Sequence, residues 1–214
     1  MSKLYKFLTI LLITITIISI NVSNASDLKS SRLGIDAGIP NLVGLNFEYL
    51  TPLLNNSLAP SISFSYLPAS ALVKLDSNQG GSIIYWSVGL NFYPFSNGKG
   101  LYFGLLYANL SANSTQTGLN GYFVQEGTQT DVLIQNGTAK ASLSMNMYFI
   151  KVGFRVIWGA FSLAPEVGIG HNDGTKGIKY EITDANYKAT GQDLGLSINA
   201  GTIPTFGLII GVAF

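Results

Sequence analysis

From Phe206 to the C-terminal Phe214, apolar residues stand at every second position: Phe206, Leu208, Ile210, Val212 and Phe214. A strict period of two places all five on one face of a β-strand. The same alternation recurs in short segments bounded by proline, asparagine and glycine, the pattern of strands joined by turns. Seven further segments carry it: Leu33 to Ile39, Val43 to Tyr49, Ser61 to Tyr66, Ser82 to Tyr93, Leu101 to Tyr107, Tyr148 to Trp158 and Phe161 to Ile169. A ninth, Leu194 to Ala200, competes with them.

Composition decides what surrounds these strands. Only 11% of the residues are charged and 47% are hydrophobic, yet the one long apolar run is Phe7 to Ile20. It follows Lys3 and Lys6 and leads through Asn21–Asn24 to the small residues Ser23 and Ala25. That order is a secretory signal peptide over residues 1–25, cleaved before Ser26, with a single domain over 26–214. The run is shorter than the ~20 residues a spanning helix needs. A membrane chain without such helices has to pair every backbone polar group internally, and a closed sheet does so. Twenty-four glycines and 12% aromatic residues suit that solution. A net charge of +1 argues against a nucleic-acid surface or a polybasic lipid anchor. Without cysteine there are no disulfides and no thiolate metal sites.

Single-chain bacterial barrels have an even number of strands, so the ninth segment is assigned to a long loop and the wall to eight. Such barrels keep short turns on the periplasmic side. Thr51 to Ala59, Phe95 to Gly100 and Gly159-Ala160 fit as those turns, and Ala69 to Gly81, Ser111 to Lys140 and His171 to Ile203 as outer loops. Within the second loop, Tyr122 to Gln125 and Val132 to Gln135 are suited to pair as a hairpin. Tyr49, Phe92, Trp158, Phe161 and Phe214 then fall at the inner interface, and Tyr66, Trp86, Tyr107, Tyr148 and Phe206 at the outer, as two aromatic girdles. Six of the seven prolines lie at proposed strand ends. Pro165 does not, and it calls for a bulge or a different register.

On the signal peptide, the alternation and the Phe206–Phe214 terminus, the chain resembles the small eight-stranded outer-membrane barrels of the OmpA and OmpX type. The resemblance covers essentially all of residues 26–214. It implies an all-β, antiparallel up-and-down transmembrane β-barrel in the outer membrane of a Gram-negative bacterium. It also makes Phe206, Leu208, Ile210, Val212 and Phe214 the C-terminal signal read by the outer-membrane insertion machinery. Outer-membrane lipids and lipopolysaccharide are the implied surroundings, and a monomer is expected.

Inward positions are the nearest thing to a functional constellation. Asp36, Glu48 and Glu166 oppose Lys151 and Arg155, and eight strands leave an interior that side chains just fill. Near balance of charge in that space predicts a hydrogen-bonded plug. The leading reading is therefore a structural or surface-interaction barrel whose outer loops meet an unidentified surface ligand. A narrow porin-like conduit lined by the same charges is the second reading. An outer-leaflet lipid-modifying enzyme is a distant third: His171 is the only histidine, and a neighbour such as Ser144 is needed for triad geometry. No catalytic residue, cofactor or metal site is assigned. Gly168, Gly170 and Gly174 lack dinucleotide spacing, and Asn97-Gly98-Lys99-Gly100 lacks that of a phosphate loop.

Overall fold

The computed structural model describes residues 29–71, 76–95, 98–125, 130–175, 179–184, 188–193 and 198–214. The signal peptide read at 1–25 lies outside them, as does most of the ninth alternating segment. Among the described residues ten strands run in the order β1 Ser31–Ile39, β2 Leu42–Tyr49, β3 Leu58–Pro68, β4 Gln79–Phe92, β5 Gly100–Gln125, β6 Thr130–Trp158, β7 Phe161–Asn172, β8 Lys179–Thr183, β9 Lys188–Asp193 and β10 Gly201–Ala213.

Eight of these strands close a ring. The neighbours are β5, β4, β3, β2, β1, β10, β7 and β6, and β5–β6 pairing returns to the start, every pair antiparallel. Both ends of the wall meet where Phe214 N–H donates to the Ser31 carbonyl at 2.8 Å and Ser31 N–H donates to the Phe214 carbonyl at 2.9 Å. Closure removes the free edges that make an open sheet prone to pairing with other chains. The strands are tilted, as closure requires. A path of partners from Arg32 passes Glu48, Ser61, Gly89, Leu106, Phe149 and Gly170 and arrives at Ile203, beyond Phe206, the last partner of β1.

Alternation along each strand sorts the side chains by polarity in the reverse of a soluble core. Outside lie Val43, Phe47, Ile62, Phe64, Trp86, Val88, Phe103, Leu105, Ile150, Phe154, Val167 and Ile169, all exposed. Inside lie Arg32, Asp36, Glu48, Lys151 and Arg155 with a series of serines and asparagines, all buried. At the end carrying the chain terminus the connections are short. Trp158 and Phe161 face each other across the tight Gly159-Ala160 turn, their rings stacked with centroids 5.9 Å apart.

The opposite end differs from a ring capped by irregular loops. Ser111 to Lys140, expected as loop, continues β5 and β6 as one long hairpin whose pairing persists to Gln125 opposite Thr130, with Tyr122 opposite Leu133. Within the span expected as a third loop, β8 pairs with Thr138–Ser142 of β6 and β9 pairs with β8. Serine, threonine and asparagine on both faces hide these extensions from a search for hydrophobic contrast. The rim is therefore uneven, high at β5–β6–β8–β9 and low at the short Pro40-Asn41 turn.

The prolines are placed by unpaired stretches rather than by strand ends alone. Pro60 and Pro204, expected at ends, lie within β3 and β10. Each has one ladder partner, Leu90 and Ile169 respectively, because the β2–β3 pairing ends at Glu48–Ser61 and the β1–β10 pairing at Ile39–Phe206. Pro165 needs neither a bulge nor a new register. The β6–β7 pairing lapses between Gly153–Glu166 and Val156–Leu163 and resumes in the same phase, so the missing donor falls in a gap of the ladder.

Candidate functional site

The lumen holds the chemistry. At the end with the short turns, Glu48 on β2 is fully buried and collects donors from three directions. Arg32, its partner on β1, donates through Nη1, and Asn91 on β4 donates through Nδ2. Tyr93 OH donates at 2.9 Å, and Arg155 Nη2 reaches it from β6 at 3.4 Å. The two guanidiniums lie against aromatic faces, Arg32 at 5.2 Å from the Tyr93 ring centroid and Arg155 at 5.8 Å from that of Tyr102. These rings contact each other with centroids 5.2 Å apart. Arg32 also donates to the Gly98 carbonyl at 2.9 Å and Arg155 to Ser162 Oγ at 3.2 Å, which ties the cluster to the turns below.

One layer higher, Glu166 Oε2 on β7 accepts from Lys151 Nζ at 2.8 Å and from Tyr102 OH at 2.7 Å. Asp36 Oδ2 accepts from Ser63 Oγ at 3.4 Å, and Ser63 Oγ in turn accepts from Asn46 Nδ2 at 3.0 Å. Glycines make room for these long side chains. A Cβ on Gly153 would lie 2.3 Å from the Tyr102 ring, and one on Gly104 would lie 2.7 Å from Lys151 Cγ. Above this layer the lining turns apolar: Tyr85, Ala108, Met147 and Phe149 are buried together, with Leu106, Leu110, Met145 and Ile203 packed against them.

Asp36, Glu48, Lys151, Arg155 and Glu166 thus all project into one lumen, in two layers rather than one cluster. Arg32 belongs with them. It shares the parity of Asp36, but a strand read from Leu33 leaves it out. The apolar upper lining had no signal either, since Leu105-Leu106 and Phe149-Ile150 are apolar on both faces. At the terminus, Phe206, Leu208 and Ile210 are exposed outside as expected. Val212, in phase with them, is buried, and Phe214 is half-buried. Val212 sits between its ladder partners Leu33 and Phe161.

His171 faces outward, opposite Tyr148 and Thr202. Ser144 is not beside it. The register sets Ser144 four positions along β6 from Tyr148, roughly 13 Å at the rise of a strand. Ser144 Oγ instead accepts from Asn109 Nδ2 at 3.1 Å. Among the described residues no group of three or more His, Cys, Asp or Glu is arranged to hold a metal.

No protein-family model and no curated protein matches the chain. Among solved structures it is similar to a major outer membrane protein from Thermus thermophilus, at 13% identity and a TM-score of 0.42, over 86% of this chain and 99% of that one.

Proposed function

We propose that the chain is an integral outer-membrane barrel that is closed to ions and presents the β5–β6–β8–β9 sheet as a recognition surface. The observation that carries this reading is the inverted polarity of the wall. An exposed band of Phe, Leu, Ile, Val and Trp surrounds a lumen of charged and hydroxyl side chains, and water on both sides would leave that band unfavourably solvated. Lipid on the outside accounts for it.

Closure is supported by the buried Arg32–Glu48–Arg155 cluster, which occupies the bore where a conduit would need water. The raised sheet offers Ser, Thr, Asn and Gln over a rigid base, the setting in which recognition surfaces are built. Its ligand would be met through hydrogen bonding rather than strong charge. Export through the signal peptide and insertion guided by the Phe206–Phe214 strand complete the reading.

The test is tryptophan quenching. Trp86 and Trp158 both lie on the outer face. In vesicles made with acyl-brominated lipids the refolded protein is expected to lose most of its emission, with little further loss on adding iodide to the water. Emission indifferent to the brominated lipid and quenched by iodide would refute membrane insertion.

A further inference from the structure

We propose that a pocket beneath the β1–β2 turn is a seat for one small monovalent cation, held by Asp36, Glu166 and Asn41. The pocket, of about 40 Å³, lies between the polar layers and the apolar mouth. That is room for an ion with one or two waters.

Charge is unevenly divided along the lumen. In the lower layer one carboxylate, Glu48, faces two guanidiniums. In the upper layer two carboxylates, Asp36 and Glu166, share one ammonium, Lys151, which is engaged with Glu166 Oε2. The upper layer therefore carries one negative charge in excess next to the pocket, offset only by the surplus guanidinium of the layer below.

Oxygen atoms converge on that space. Tyr102 and Lys151 both donate to Glu166 Oε2 and Ser63 donates to Asp36 Oδ2, which leaves Glu166 Oε1 and Asp36 Oδ1 on the side of the pocket. Both border the gap over Gly207, where a Cβ would stand 3.2 Å from Glu166 Oε1 and 3.6 Å from Asp36 Oδ1. Asn41 is 6% exposed and lines the same pocket, with its amide turned to the Asp36 carboxylate and its Oδ1 without a hydrogen-bond partner among the described residues. A buried amide oxygen without a donor is costly, and a coordinated ion or its bound water would satisfy it. Oxygen donors select hard cations. A residual charge of minus one selects a monovalent ion, since a divalent one would leave uncompensated positive charge and demands more ligands. The seat is a dead end, because Arg32 and Arg155 repel a cation from the layer below.

The full chain refolded in detergent micelles tests this by sodium-23 NMR. Excess line broadening over empty micelles is expected, reversed by added potassium but not by N-methylglucamine. It should be lost in Asp36→Asn and in Gly207→Ala, whose methyl group fills the seat, and retained in the surface control Asp76→Asn. A second readout needs no variant: the thermal midpoint of the unaltered protein should rise in sodium or potassium chloride relative to N-methylglucamine chloride at equal ionic strength. No excess broadening, equal broadening in Asp36→Asn, or identical midpoints in all three salts would overturn the proposal. It depends on the lumen alone, so its failure leaves the quenching result untouched.

Discussion

Glu48 and Arg155 stand on opposite sides of the ring, β2 and β6 being separated by three strands in either direction, and their side chains meet across the bore at 3.4 Å. Arg32 holds the same carboxylate from the neighbouring strand. The bridge is thus a crossbar, tying one half of the wall to the other where the terminal strands close. Its members are almost wholly shielded from water, Glu48 at 0% and both arginines at 2% exposure.

Removing the shared acceptor should be the most damaging single change in the lumen. Glu48→Ala leaves two buried guanidiniums facing each other, and losing one partner of a buried ion pair costs about 3–5 kcal/mol. Urea unfolding of the refolded protein, followed by the gel-mobility difference between boiled and unboiled samples, measures the loss. An unchanged midpoint would mean that the crossbar contributes nothing to closure.

The inward glycines predict a second, sterically based effect. Gly153→Ala drives a methyl group into the Tyr102 ring and should destabilise by about 1–3 kcal/mol, the usual cost of overpacking. A Cβ on Gly80 would meet nothing within 4 Å, so Gly80→Ala should stay within about 0.5 kcal/mol of the unaltered protein. The same denaturation assay compares them.

What the sequence discloses follows from what a period of two encodes. It tells which residues share a face, so parity alone puts Asp36, Glu48, Lys151, Arg155 and Glu166 together on the side away from Phe47, Ile150 and Val167. It does not tell which of them touch. Glu48 and Arg155 are 107 positions apart, and their contact depends on the tilt and stagger of every strand between them. The lengths of β5 and β6 were hidden for a different reason. Past Ser111 the chain leaves the band where one face is apolar, and Asn113, Ser114, Thr115 and Gln116 pair through their backbones with no alternation to mark it.

The raised sheet should be separable from the ring. Excising the hairpin beyond the Ala112–Leu143 pair and rejoining the strands with a two-residue turn removes the part of β6 on which β8 docks. The shortened protein is expected to keep its gel-mobility shift and its lipid quenching while losing any cell-surface binding of the full chain. Loss of the shift as well would show that the extension is needed for the barrel itself.

Opening the crossbar should convert a silent barrel into a leaky one. Glu48→Ala combined with Arg155→Ala removes the carboxylate and the guanidinium that meet across the bore, and avoids leaving the pair half-broken. Discrete openings in planar bilayers are expected of the double variant. A silent double variant that still shows the gel-mobility shift would place the constriction elsewhere, at the apolar mouth around Phe149 and Met147.

Conductance of the unaltered protein is the most direct test of the account. After the gel-mobility shift has established that it is folded, the refolded chain is reconstituted into a planar bilayer and recorded under applied voltage. The crossbar of Arg32, Glu48 and Arg155 predicts electrical silence. Regular, discrete openings in the unaltered protein would contradict the closed lumen and establish a conduit in its place.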